Sequence, residues 1–598
     1  MARLAQPISR ESLSEVRGLT HRWSWRIGTA DAKTLSEAAG VTDLLGRVLA
    51  ARGVASGEEA KALIEPSLSK ALHEPSLLPD LDRAAERILS AVKEREPIVI
   101  FGDYDADGLC ATAILVRLIK TIDPQALVTP YIPSRIDEGY GLSTEAITSL
   151  AQNGAKVIVS VDCGITAFEQ ADISLANGVD LIITDHHNPP DESTGIPNAY
   201  AVVHPRRPGS LYPFGELCGA GVAFKLAWRI ATMRAGTNAV GKQMRATLLE
   251  LMSLAAIATV ADIVPLVDEN RAIVRFGLAH LPSSKSVGVR ALLAISDLND
   301  SAVTSEDAGY RLAPRLNAAG RMAHANLALE LLLTNDATRA GAIARELNDL
   351  NTARKAEERR IAEEASGMVD EEMLTSDASR TIVLASKDWN PGIVGIVCSR
   401  LVRKFGRPTI LLCEQNGVLS GSGRSIDGYS LHEGLTAAAE HLERFGGHDM
   451  AAGLSLRAEH LEAFRNELER HAAHHIDEDM LVPMLRIDAS ARPNELTVRS
   501  IRELLSLGPF GAGNRSPRIM LEGIKLGRGA EALGAHGNHI ALHCVENGVG
   551  IRVVGWGFGE FRELLRAGGV VDLVVEPKIN EWQGRLSVEG TLIDARLH

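Results

Sequence analysis

The sequence predicts a multidomain α/β protein: a parallel-sheet domain, one long helix, a second α/β domain and a C-terminal all-β barrel. Three observations predict it. Strand and helix patterns alternate from about 76 to 335, and a proline-free charged stretch covers 336–372. From about 476 onward, short apolar runs follow one another with only turn residues between them. At 598 residues the chain far exceeds one ordinary hydrophobic core, so several domains are required.

In order along the chain, residues 1–75 read as a small helical lead-in, with Trp23 and Trp25 as packing anchors. Within 76–335 the strand candidates are PIVIF, ALVTPYI, KVIVSV, DLIITD and AYAVVH, separated by helical patterns. Residues 336–372 read as a solvated connector helix. In 373–475, TIVLAS and PTILLC flank the helix GIVGIVCSRLVRKF, for which Asn390 is the expected N-cap and Pro391 the first helical position. Residues 476–598 carry IMLEGIKLGR, HIALHCV, GIRVVGW, VDLVVEPKI and RLSVEGTLI, five short strands that suggest a barrel of the OB type.

Composition excludes several classes. Hydrophobic residues at 45% and charged residues at 23% describe a globular chain rather than a disordered one. The net charge of −13 argues against a nucleic-acid binder on totals, but totals average over domains, and metal can neutralise acids. Six cysteines without a C-x-x-C pair exclude a disulfide frame and a structural zinc site. The N-terminus lacks an apolar signal core, and the apolar stretch between Glu250 and Asp262 is too short to span a bilayer. A cytoplasmic protein with no membrane partner is expected.

Asp103, Asp105, Asp107 and Gly108 open like a calcium loop, D-x-D-x-D-G. Position 12 of such a loop must be a bidentate glutamate, and here it is Ile114. The entering segment, Pro97 to Phe101, reads as a buried strand rather than a helix. The calcium loop is excluded. What remains is a strand ending in carboxylates, where open α/β sheets bind ligands.

Other strands end the same way. KVIVSVDCG ends in Asp162, and DLIITDHHNPP ends in Asp185, His186 and His187. Asp262 stands alone in the apolar helical segment LMSLAAIATVADIVPL, where an unpaired carboxylate is very costly. Taken singly, each histidine is more often a packing or capping residue than a ligand. Together the carboxylates and imidazoles, without thiolate, favour Mn²⁺ or Mg²⁺ over structural zinc. The donors exceed the needs of one ion, which points to a pair.

The ordered motifs GDYDADG, VDCG, DHH and ADIVP resemble the DHH phosphoesterase superfamily, and within it a bacterial family of single-strand DNA exonucleases. The resemblance extends through YIPSRIDEGYGLS, RLAPRLNAAGRM, LNDLNTARKAEERRI, WNPGIVGIVCSRL, GSGRS, FGGHDMAAG and GPFGAGN, in that order. It implies a DHH domain at 76–335, a connector helix at 336–372, a DHHA1 domain at 373–475 and an OB-fold domain at 476–598. It also implies two ions, Mn²⁺ or Mg²⁺, held by Asp103, Asp105, Asp107, Asp162, His186 and Asp262, with Asp162 bridging. His187 would contact the scissile phosphate, Asp185 would orient a histidine, and Asp105 completes the catalytic set. Two positions depart from the family pattern. Phe101 stands where some members have histidine, so Asp103 or water must complete one metal shell, and Asn390 replaces the histidine of W-H-x-G.

On the substrate side, Arg135, Arg315 and Arg321 are implied phosphate contacts. GSGRS reads as a glycine-rich turn able to offer Ser422, Arg424, Ser425 and backbone N–H groups to phosphate, or as an ordinary tight turn. His448 lies between glycines and small residues that permit close approach to a ligand. The implied activity is 5′→3′ hydrolysis of single-stranded DNA to mononucleotides in repair and recombination, by a monomer. Single-strand DNA-binding protein and a helicase are candidate protein partners. The alternatives are a phosphodiesterase of cyclic dinucleotides or short oligonucleotides, and an inactive replication scaffold.

Overall fold

A computed structural model describes residues 16–134, 138–237, 239–299, 301–376, 379–546 and 548–598. The chain divides into two compact units. One comprises residues 66–355 and 508–515; the other comprises 1–65, 356–507 and 516–598.

The first unit is built on five parallel strands: β1 (Ile98–Phe101), β2 (Val128–Tyr131), β3 (Val157–Val161), β4 (Asp180–Thr184) and β5 (Ala201–Val203). Their order is β2-β1-β3-β4-β5, with every neighbouring pair parallel. The β-branched runs are buried on both faces, as a parallel sheet covered by helices requires. Alternation assigns the faces. Ile98, Ile100, Val157, Val159 and Ile182 pack with α1 (Ala106–Ile122), α4 (Gly219–Ala235) and α5 (Lys242–Ala261). Val99, Phe101, Ile158 and Ile183 pack with α2 (Thr144–Gln152) and α3 (Phe168–Ala176). The order reverses between β1 and β3, and the carboxyl ends of strands beside such a switch point form a ligand crevice.

Phe101 faces the second of these cores, its ring stacked on Tyr131 at 5.0 Å. Helix α5 is longer than the sequence suggested: its 20 residues are long and apolar enough to cross a bilayer by length and composition. It packs against α1, α4 and α6 (Asp268–His280), the behaviour of a core helix.

Helix α7 (Ala337–Glu371) carries the chain from one unit to the other. In the second unit, β6 (Ile382–Ser386), β7 (Thr409–Gln415), β8 (Val418–Arg424), β9 (Arg444–His448) and β10 (Ala451–Arg457) form a sheet in the order β9-β10-β8-β7-β6. Only β6 and β7 are parallel. Two expectations fail here. GSGRS is not a turn: Gly421 to Arg424 lie in the central strand β8, paired on both sides. The helix α8 (Val394–Phe405) begins after Ile393, so Asn390 is not its N-cap; the Asn390 side chain accepts from the Gly392 N–H at 2.8 Å in the preceding turn.

The C-terminal sheet has seven strands, five of them the expected ones: β11 (Ile519–Lys525), β12 (His539–Glu546), β13 (Val549–Gly555), β14 (Val570–Trp582) and β15 (Arg585–Leu597). A parallel β13–β15 pairing and a bridge from Leu526 to Cys544 bring the sheet round toward a Greek-key barrel. The expected helical lead-in is mixed instead. Strands Val16–Arg17 and Arg22–Trp25 join Met484–Ile487 in a small sheet, and helices follow. Trp23 is the anchor, donating its indole N–H to Asp594 at 2.7 Å, whereas Trp25 is exposed. Residues before 16 lie outside the described residues.

Candidate metal centre

Three strand ends and one helix end supply the site. β1 runs into Asp103–Asp107, β3 into Asp162, β4 into Asp185–His187, and α5 ends at Asp262. Asp105 caps α1, accepting from the N–H groups of Asp107 at 2.9 Å and Gly108 at 3.2 Å. Asp107 accepts from the N–H groups of Gly219 and Ala220, both at 2.7 Å, at the start of α4. These two donors have no partner within their own helix, and the positive end of its dipole favours the carboxylate.

Asp162 sits at a φ of 65°, a left-handed conformation that aspartate tolerates better than most residues. His186 Nε2 lies 3.1 Å from Asp162 Oδ1, 3.6 Å from Asp262 Oδ2 and 3.8 Å from Asp107 Oδ2. Three sets of donor atoms each lie within 4.8 Å of one another: Asp103, Asp105 and Asp162; Asp107, His186 and Asp262; Asp162, His186 and His187. Asp162 belongs to two of them.

Burial, then the neighbouring carboxylates, pushes Asp107 up to about 6 and Asp262 up to about 8. The same causes carry Asp162 well above the carboxylate range. Burial, then the charge of His187, lowers His186 to about 3, leaving a neutral imidazole. Asp162 Oδ1 and His186 Nε2 are both buried without a hydrogen-bond partner. Orphaned carboxylate oxygen and imidazole nitrogen, crowded with like charges, fit a divalent cation.

Asp185 has a different environment. It accepts from the N–H groups of Ile165, His186 and His187 and from His187 Nδ1 at 2.8 Å. Burial opposes its ionisation, but the His187 hydrogen bond and charge outweigh that and hold it well below the usual range. In return His187, which burial alone would lower, is raised to about 9 by the Asp185 bond and charge.

Several supporting residues carry no role in the sequence reading. Tyr140 Oη donates to the Asp162 carbonyl at 3.1 Å and lies 3.1 Å from His187 Nδ1. His204 Nε2 meets the His187 carbonyl at 2.7 Å, and Arg206 donates to the His186 carbonyl at 2.7 Å. Asn317 accepts from the Ala106 N–H at 2.6 Å. Tyr140, between two glycines of EGYG, His204, at the end of AYAVVH, and Asn317, inside RLNAAGRM, fall in segments that the sequence marks; Arg206 does not.

The remaining predicted residues are scattered. Arg135 lies outside the described residues. Arg315 is engaged by Asn348 at 3.0 Å and by the carbonyls of Arg311 and Ile295. Arg321 is half-buried in the last turn of helix Ala313–Met322. In the second unit, Ser422 and Arg424 share a face of β8; a methyl at Gly395, in the first turn of α8, would lie 3.3 Å from Ser422 Oγ and 3.5 Å from Arg424 Nη2. Ser425 donates to the Tyr429 carbonyl at 2.8 Å, and His448 is exposed at the end of β9.

Comparison with known proteins agrees with this layout. The DHH family N-terminal domain matches residues 97–257, the DHHA1 domain 378–473 and the RecJ OB domain 487–594. The single-stranded-DNA-specific exonuclease RecJ of Bacillus subtilis is 36% identical over 582 residues, covering 96% of this chain and 71% of the relative. The crystal structure of Thermus thermophilus RecJ in complex with Mn²⁺ superposes with a TM-score of 0.80 at 32% identity, covering 96% of this chain and 79% of that one. Its Mg²⁺ complex gives 0.74 at 30% identity, covering 96% and 78%. The chain belongs to the RecJ family of DHH proteins.

Proposed function

We propose that this protein hydrolyses single-stranded DNA from the 5′ end, releasing 5′-mononucleotides, with two Mn²⁺ or Mg²⁺ ions in the DHH domain. The observation that carries the reading is Asp162, common to one donor set with Asp103 and Asp105 and to another with His186. When bound, such a pair of cations stabilises the attacking and leaving oxygens of phosphoryl transfer. The residues of the chain do the rest. Asp103 and Asp105 would hold one ion, Asp107, His186 and Asp262 the other, and Asp162 both. His187, fixed by Asp185 through Nδ1, would in its imidazolium form donate to a phosphate oxygen. Tyr140 fixes the backbone of Asp162 and the ring of His187 together.

The relatives bear the name of single-stranded-DNA-specific exonucleases, and the C-terminal barrel supports a single-strand substrate. Cytoplasmic action in DNA repair and recombination follows from that activity. A monomer working beside single-strand DNA-binding protein and a helicase is the arrangement we propose. With Mn²⁺, single strands are expected to be degraded far faster than blunt duplex or a cyclic dinucleotide; faster cleavage of the cyclic dinucleotide would contradict the reading.

A methyl at Gly219 would stand 2.5 Å from Asp162 Cβ and 2.6 Å from Oδ1. Gly219→Ala is therefore expected to shift the shared ligand and weaken Mn²⁺ binding about ten- to a hundredfold. Mn²⁺ titration followed by electron paramagnetic resonance checks this.

Arg424, Ser422 and the first turn of α8 form the proposed seat of the terminal 5′ phosphate, through side chains and the helix terminus rather than the strand-paired backbone of GSGRS. A charge-assisted hydrogen bond contributes about 1.5–3 kcal/mol. Arg424→Ala should weaken 5′-phosphorylated strands about ten- to a hundredfold and 5′-hydroxyl strands much less, in competition binding with Ca²⁺ suppressing turnover. Equal loss for both ends would make Arg424 a general backbone contact.

A further inference from the structure

Residues 508–515, GPFGAGNR, are flanked on both sides by chain of the second unit, yet they belong to the catalytic unit. They fold into a tight loop. The Gly511 N–H donates to the Asn514 carbonyl at 2.9 Å, the Asn514 N–H to the Ala512 carbonyl at 2.8 Å, and Asn514 Nδ2 to the Pro509 carbonyl at 2.9 Å. The loop is seated on the segment that leaves Asp262. The Leu266 N–H donates to the Ala512 carbonyl at 2.7 Å, Ser305 Oγ donates to the Phe510 carbonyl at 2.6 Å, and Arg271 donates to the Gly508 carbonyl at 3.0 Å. Gly513, at a φ of 70°, comes so close to Pro265 that a methyl there would lie 2.9 Å from Pro265 Cβ. From within the unit, buried Asn270 donates to the Pro265 carbonyl at 3.1 Å.

The segment so held needs holding. Between Asp262 and Pro265 the backbone passes through Ile263 at a φ of 61°, a left-handed conformation that is costly for a β-branched residue. Such a conformation persists only where its surroundings over-determine it. Ile263 itself is exposed and contributes little packing. The seated loop reaches Leu266, four residues after Asp262, through the Ala512 carbonyl.

We propose that the 508–515 loop is a positioning element for Asp262: by clamping Pro265 and Leu266 it fixes the turn that places this carboxylate beside His186 and Asp107. The proposal rests on the reading of Asp262 as a metal ligand. It makes part of the C-terminal sequence a component of the metal centre without any contact to metal or substrate.

The test is Mn²⁺ titration of the full-length protein by electron paramagnetic resonance, with near-ultraviolet circular dichroism confirming the fold of each variant. Gly513→Ala is expected to weaken one of the two ions about tenfold or more, as loss of an outer support does. Asp262→Asn should weaken an ion too. Gly523→Ala, at a φ of 64° with open space around it, carries the same backbone strain in the barrel and should leave both ions unchanged. Asn514→Ala loosens the loop without adding bulk, so it gives the result should Gly513→Ala fail to fold. Parent-like affinity in folded Gly513→Ala, or in folded Asn514→Ala where the first does not fold, overturns the clamp if Asp262→Asn has lost an ion. Parent-like affinity in Asp262→Asn instead overturns the ligand reading, and the clamp with it.

Discussion

Asp162→Ala is expected to lower hydrolysis of single-stranded DNA by about a thousandfold or more. Asp162 shares a donor set with Asp103 and Asp105 and another with His186, so its loss removes a ligand from both proposed ions. Lewis-acid stabilisation of several kcal/mol is at stake, and each 1.4 kcal/mol is a factor of ten in rate. The fold should survive, because the substitution removes a carboxylate that burial, then the neighbouring carboxylates, drive far above its usual range. Alanine is less comfortable than aspartate at a φ of 65°, and Asp162→Asn, which tolerates that conformation, is the companion variant. Turnover assays with Mn²⁺ supplied, alongside ion stoichiometry, measure the effect; near-parent turnover in both variants would remove Asp162 from the centre.

His187→Ala should lose rate but keep metal. The Asp185 bond and charge favour the imidazolium form of His187 against the opposing effect of burial, and the Asp185 bond holds the ring in one orientation. Removing a preorganised donor aimed at developing charge costs about 10²–10³ in kcat. His186 and the carboxylates remain, so two ions should still bind. Kinetics and metal stoichiometry on the same preparation separate the two roles. Loss of an ion would move His187 among the ligands, consistent with its place in the donor set with Asp162 and His186.

Much of the catalytic unit is legible in the sequence because its signals are local. Apolar runs such as KVIVSV end abruptly in Asp or His, and that pattern survives without knowing what packs where. Asp262 is legible for the opposite reason: it is a lone acid in apolar helix. What escapes is tertiary. Asp107 is held by the first N–H groups of α4, more than a hundred residues later, and no local pattern announces that pairing. GSGRS reads as a turn from its glycines, yet a methyl at Gly421 would stand 1.9 Å from the Leu411 carbonyl, so close strand approach is what excludes a side chain. The lead-in helices between residues 32 and 64 belong with the C-terminal unit through Arg52 on Asp488 at 2.9 Å and Thr42 on Glu503 at 2.7 Å, contacts spanning more than 400 residues. The 508–515 loop is the same lesson at the metal centre: removing everything after 475 would strip the catalytic unit of one of its own parts.

The most direct test is the order in which label leaves a single strand incubated with the full-length protein and Mn²⁺. A 5′ label should appear at once as mononucleotide, while a 3′ label should pass through a ladder of steadily shorter strands. Chelator should stop both. Early release of the 3′ label, internal fragments as first products, or undiminished activity with chelator would contradict a metal-dependent exonuclease working from the 5′ end.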